Sequence, residues 1–223
     1  MHHANRVAIV CSLLLLICIA IAYASQSEKS GTRDSLSRRV SNYKDTGHDF
    51  SITLGHLSQK YRIPMGIDLE RPPTRQFISV QVSHGTVADV LNAIVEGEPG
   101  YKWTEINGVV NVVPQQSTNS ILDLRIAHFH VRHADPLDLH TAILALPEIK
   151  RWLEQNHLKE RGVFGPDILV GKNGMTSLPH VSLDLRDVTL RAIMNRIATS
   201  PGLGSWIVSR WGEKNQYLNL QIG

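Results

Sequence analysis

A chain of 223 residues with 23 Lys and Arg, 20 Asp and Glu and 42% hydrophobic residues has room for one or two cores of ordinary size. Its formal charge of +3 is confined to the start: Arg6 and the five basic and three acidic residues of 25–47 leave 17 of each sign from His48 onward. A nucleic-acid-binding surface needs clustered basic side chains on the folded part, which this balance excludes. The two cysteines, Cys11 and Cys18, fall in the first 24 residues, so no disulfide framework holds the remainder.

Arg6 precedes an apolar run from Val7 to Ala22, and Ala22-Tyr23-Ala24 stands before Ser25. A charged start, a short apolar stretch and a small-x-small site read as a secretory signal peptide, residues 1–24, cleaved between Ala24 and Ser25. The run is shorter than the roughly 20 residues of a permanent span. The expected location is the periplasm, with a membrane anchor as the alternative if the signal stays uncleaved. Residues 25–47, rich in Ser and charge, read as a flexible leader.

The strongest internal signal is a repeat. Residues 78–94, ISVQVSHGTVADVLNAI, are answered 103 positions later by residues 181–197, VSLDLRDVTLRAIMNRI, and Trp103 is answered by Trp206. Self-similarity at a fixed offset means that one supersecondary unit was built twice. The expected fold is therefore α+β, two tandem small modules over 48–116 and 120–223, each with two helices packed on a short mixed sheet that ends in a hairpin.

In the first copy Leu54, Leu57 and Tyr61 form a short helical face, and Met65 to Leu69 follow as a strand. Ile78, Val80 and Val82 alternate as a half-buried strand. Thr86 with Asp89 caps a helix whose apolar face is Val87, Val90, Leu91 and Ile94. Pro99-Gly100 stops it, and Asn107-Gly108 joins two alternating runs as a hairpin. In the second copy Phe129 and Val131 lie on an opening strand, and Asp135-Pro136 starts a helix lined by Leu139, Ile143 and Leu146. The insertion 147–180 carries an extra helix around Ile149, Trp152 and Leu153, then a glycine-rich loop from Gly162 to Pro179. Val181, Leu183 and Leu185, the Thr189 helix and a ribbon from Trp206 to Ile222 complete the repeat.

Leu54-Gly55-His56-Leu57-Ser58, Tyr61-Arg62-Ile63-Pro64, Ile78-Ser79-Val80-Gln81-Val82, Gly85-Thr86-Val87 and Leu91-Asn92-Ala93-Ile94 together resemble the secretin and TonB short N-terminal domain. The resemblance covers about Phe50 to Pro114 and is weaker over Leu122 to Ile222, where Asp187-Val188 stands in place of Gly85. It implies a small periplasmic module that contacts an envelope protein partner, such as an outer-membrane secretin or a TonB-dependent system, and it supplies no catalytic residues and no cofactor.

Other chemistry is thin. His128 and His130 share a strand face, with His133 and His140 further on, and a zinc-dependent enzyme or metal-binding protein on this segment is the alternative reading. Gly165 to Asn173 has five residues between its glycines and lacks the Ser or Thr of a phosphate loop. Ser205 precedes a strand, where a nucleophile elbow needs a helix. Trp152, in the insertion, is the tryptophan expected to mark a contact surface. The leading expectation is a non-enzymatic interaction module that pairs an exposed strand edge, with self-association as a third reading.

Overall fold

The computed structural model describes residues 34–74, 77–116, 120–160, 178–211 and 216–223. The apolar amino-terminal segment with its Ala24–Ser25 site, and the loop from Gly162 as far as residue 177, lie outside the described residues. Among the described residues no helix is long and apolar enough to cross a membrane.

The fold is α+β. The first half contains β1 (Arg39–Val40), β2 (Tyr43–His48), α1 (Phe50–Tyr61), β3 (Met65–Leu69), β4 (Ile78–Val82), β5 (Gly85–Thr86), α2 (Val87–Gly97), β6 (Tyr101–Ile106) and β7 (Val109–Pro114). The second contains a 3-10 turn at Ile121–Asp123, then β8 (Arg125–Ala134), α3 (Pro136–Leu144), α4 (Pro147–Gln155), β9 (Lys159–Glu160), β10 (Val181–Thr189), α5 (Leu190–Ala198), β11 (Ser205–Trp211) and β12 (Tyr217–Ile222).

Local chemistry explains the boundaries. Asp49 caps α1 by accepting from Ser51 N at 2.8 Å. Thr86 and Asp89 at α2, and Asp135 and Asp138 at α3, form reciprocal capping boxes. Thr189 accepts from Ala192 N at the start of α5. Asn107 and Gly108 both take positive φ, 52° and 80°, which gives the β6–β7 turn the hand that matches strand twist.

One correction falls on the leader. Within 25–47 the structure has β1 and most of β2, and β2 pairs antiparallel with β4. Polar composition hides the strand because Tyr43 and Asp45 point inward while Lys44 and Thr46 point out.

The repeated segments occupy matching places. β4 and β10 each pair antiparallel with a strand that precedes the first long helix of their half, β2 and β8. α2 and α5 follow, and the ribbons β6–β7 and β11–β12 come next. The third strand also matches: β3 runs parallel to β7, and β9 parallel to β12. These ribbons and third strands form a single six-stranded sheet in the order β6-β7-β3-β11-β12-β9, closed in the middle by parallel pairing of β3 with β11.

Two hydrophobic cores lie against this sheet. One gathers Phe50, Leu54, Leu91 and Ile94 from α1 and α2 with Met65, Ile67, Val110 and Val112. The other gathers Ile143, Ile193, Met194 and Ile197 from α3 and α5 with Val109, Trp206, Val208 and Leu220. Met65 and Ile67 alternate with Gly66 and Asp68 along β3, so the cores sit on opposite faces. β3 is buried along its whole length because both faces are covered.

Candidate functional site

The joint between the halves is built around a glycine and a tryptophan. In the β3–β11 register Gly66 stands beside Trp206. A Cβ added at Gly66 would lie 2.1 Å from Cε2 and Cζ2 of the indole, so the ring occupies the space over the glycine and only glycine fits. Trp206 is fully buried, and its Nε1 donates to Asn195 Oδ1 on α5 at 3.0 Å.

Charges tie the same joint. Arg210 donates to Glu70 Oε2 at 2.7 Å, and Glu70 Oε1 accepts from Ser120 Oγ at 2.5 Å and Ile121 N at 2.9 Å. Arg191 of α5 lies 3.7 Å from Asp68 and 3.4 Å from Asp123. Burial, reinforced by the neighbouring Glu70, pushes the Asp68 carboxyl up to about 6.

The outer edge of β6 is the repeat-equivalent of the β11 edge that β3 covers. β6 pairs with β7 on one side, and no described strand pairs with the other. Trp103 stands where Trp206 stands in the second copy, and its Nε1 donates to Asn92 Oδ1, the counterpart of Asn195, at 2.8 Å. The tryptophan and its partner are thus posed alike in both copies, but Trp103 is only half-buried. The opposite end of the sheet is different. There β9 has two residues, Lys159 and Glu160, both exposed, the short charged form that discourages pairing. β6 offers six residues, and its Ile106 is 38% exposed.

Histidine and aspartate converge at two further places. On the β8–β10 ribbon, His130 faces Asp184 and His128 faces Arg186 across the strands. His128 Nε2 is 2.7 Å from Asp184 Oδ1 and His130 Nδ1 is 3.6 Å from Oδ2. The Asp184 carboxyl sits below its ordinary range through the hydrogen bond to His128, and all three residues are exposed. The other two histidines of the segment lie elsewhere. His133 stacks on His180 with centroids 3.9 Å apart, and His140 is buried on α3, where burial lowers its pKa.

The second convergence is in the first half. Asp45 on β2 meets His48 through Nδ1 on Oδ1, and His56 of α1 through Nδ1 on Oδ2 at 2.7 Å. Residues three apart on a flat strand face opposite ways. Here the β2–β4 register shifts between Thr46 and His48, at Gly47 with φ +74°, and this bulge brings His48 back to the side of Asp45.

Trp152 does not reach the surface. It is 3% exposed, packed in the second core, with the Arg210 guanidinium 5.2 Å from its ring centroid. The apolar face of α4, which includes Ile149 and Leu153, turns it inward.

Several functional candidates had no sequence reading. Asp184 is 54 residues from His130 and becomes a neighbour only through antiparallel pairing. Asp45 fell in the supposed leader, and His48 at its border with the first module. The uncovered Trp103 emerges only once its covered twin is seen, although the 103-residue offset marked the pair. Compared with protein-family models, curated proteins and solved structures, the chain shows no significant match.

Proposed function

We propose that this protein is an interaction module of the cell envelope that accepts a partner's strand on the edge of β6 that no described strand covers, as β11 accepts β3 within the chain. One observation carries the reading. Trp103 and Trp206 make the same hydrogen bond to equivalent asparagines, yet only Trp206 has a strand with a glycine beneath its ring. The incoming strand would run parallel to β6 and place a small residue beside Trp103. Its main-chain hydrogen bonds would supply affinity, and the pocket beside the indole would supply selectivity.

The envelope setting draws support from the apolar amino-terminal run and from the resemblance to the secretin and TonB short N-terminal domain. In this reading the partner is an envelope protein, the chain performs no catalytic step, and no cofactor is required. The second half would act as the anchor, its own receptive edge already filled by β3.

A photo-reactive residue at the exposed Thr104 tests the idea in native envelopes. The expected result is one discrete crosslinked partner, lost in the Trp103→Ala variant and absent when the same group stands at Asn219 of β12. Equal capture from both positions, or capture indifferent to the loss of Trp103, would refute edge pairing.

A further inference from the structure

The bulge at Gly47 assembles a set of side chains that strand pairing does not use. Asp45 has a side chain 6% exposed, and a carboxylate so far removed from water needs compensation on both oxygens. His48 supplies it at one and His56 at the other, their rings 5.0 Å apart and nearly perpendicular at 89°.

A second observation points into the same place. Tyr43 is 2% exposed and lines a cavity of about 370 Å3 together with Asp45, His48 and His56. The Lys60 ammonium sits 5.2 Å from the Tyr43 ring centroid and 5.6 Å from that of Tyr61, held by the aromatic faces.

We infer that Asp45, His48 and His56 form a binding site for a divalent transition-metal ion of the zinc class. The three donor atoms lie within 4.8 Å of one another. Two imidazoles and one carboxylate are a set suited to zinc and its neighbours rather than to calcium or magnesium, which favour all-oxygen shells. Three protein ligands leave a position open to water or to a group from a ligand. The ribbon cluster of His128, His130 and Asp184 offers the same residue types with histidines about as exposed as His48 and His56, but its carboxylate is 55% exposed where that of Asp45 is 6%. The Arg186 guanidinium already stands 4.0 Å from the Asp184 carboxylate. Solvent screens that cluster, and a cation would have to displace the arginine.

Titration of the purified full chain with cobalt(II), followed by visible absorption and competed with zinc, tests the assignment. The expected result is one equivalent of tetrahedral cobalt, displaced by zinc. A His128→Gln, His130→Gln double variant should retain it, and a His48→Gln, His56→Gln variant should weaken binding at least 100-fold. The ring-proton resonances of His48 and His56 in the unmutated protein give an independent readout should that variant fail to fold. They are expected to shift on zinc addition ahead of those of His128 and His130. Absence of a cobalt complex, or a complex that follows His128 and His130 instead, would overturn the inference.

Discussion

Trp103 and Trp206 are one residue repeated, in two circumstances. Both crown the first strand of a ribbon and both donate to an asparagine on the preceding helix. Around Trp206 a neighbouring strand supplies glycine, the ring is wholly buried, and Glu70 and Arg210 fasten the seam. Around Trp103 the helix and hydrogen bond are present, but no strand among the described residues lies beside it. The difference shows that the tryptophan–asparagine pair forms whether or not a strand lies beside it.

Truncating the two tryptophans separates these contributions most sharply. Trp206→Ala should cost about 3–5 kcal/mol in chemical denaturation, since it empties a fully buried site. Trp103→Ala should cost roughly 1 kcal/mol by the smaller area it removes from contact, while abolishing capture of a partner. Equal costs would mean that the covering strand makes no difference to the tryptophan beneath it. Gly66→Val should destabilise by about 3 kcal/mol or more in the same assay, because a side chain there collides with an indole that other atoms hold in place.

Asp68 makes the seam sensitive to acid in an unusual direction. Its folded pKa, about 6, lies above the ordinary 3.8, so the folded state holds the proton more tightly than the unfolded chain. The contribution of this residue is fully present below pH 3.8 and is lost as pH rises through 6, a change on the order of 2–3 kcal/mol. Thermal unfolding of the Asp68→Asn variant between pH 4 and pH 7 should show a flatter profile than the parent, with higher stability at pH 7. An unchanged slope would remove Asp68 from the account. The smallest effect concerns the asparagines: Asn195→Ala should cost about 1–2 kcal/mol by stranding a buried indole donor, and Asn92→Ala roughly 0.5 kcal/mol, because water can replace the partner near the edge.

The parts legible in the sequence were those governed by neighbours along the chain. Period-two and helical spacing located β4, α2, β10 and α5, and the Thr86–Asp89 and Asp135–Pro136 signals marked helix starts. Asn107-Gly108 marked the hairpin. The seam was not legible, because which strand lies beside β11 is decided by burial of two cores at once and not by any local pattern. Met65 to Leu69 carried a hint, an unusually apolar strand interrupted only by Gly66 and Asp68, and those two prove to be the residues that fit Trp206 and face Arg191. The Asp45 cluster was hidden for another reason. A bulge breaks the alternation by which strands are recognised, and polar residues turned inward look like a solvated tail.

The seam itself provides the most direct test. A synthetic peptide spanning Arg62 to Arg71 carries the β3 sequence, and with the intramolecular site already occupied, the equivalent open edge is β6. Hydrogen exchange of the β6 amides, measured with and without excess peptide, is predicted to slow between Lys102 and Ile106, and not to slow with a peptide in which valine replaces Gly66. Unchanged exchange in β6 at saturating peptide, or identical protection by the valine peptide, would contradict the claim that this edge is built to receive a strand.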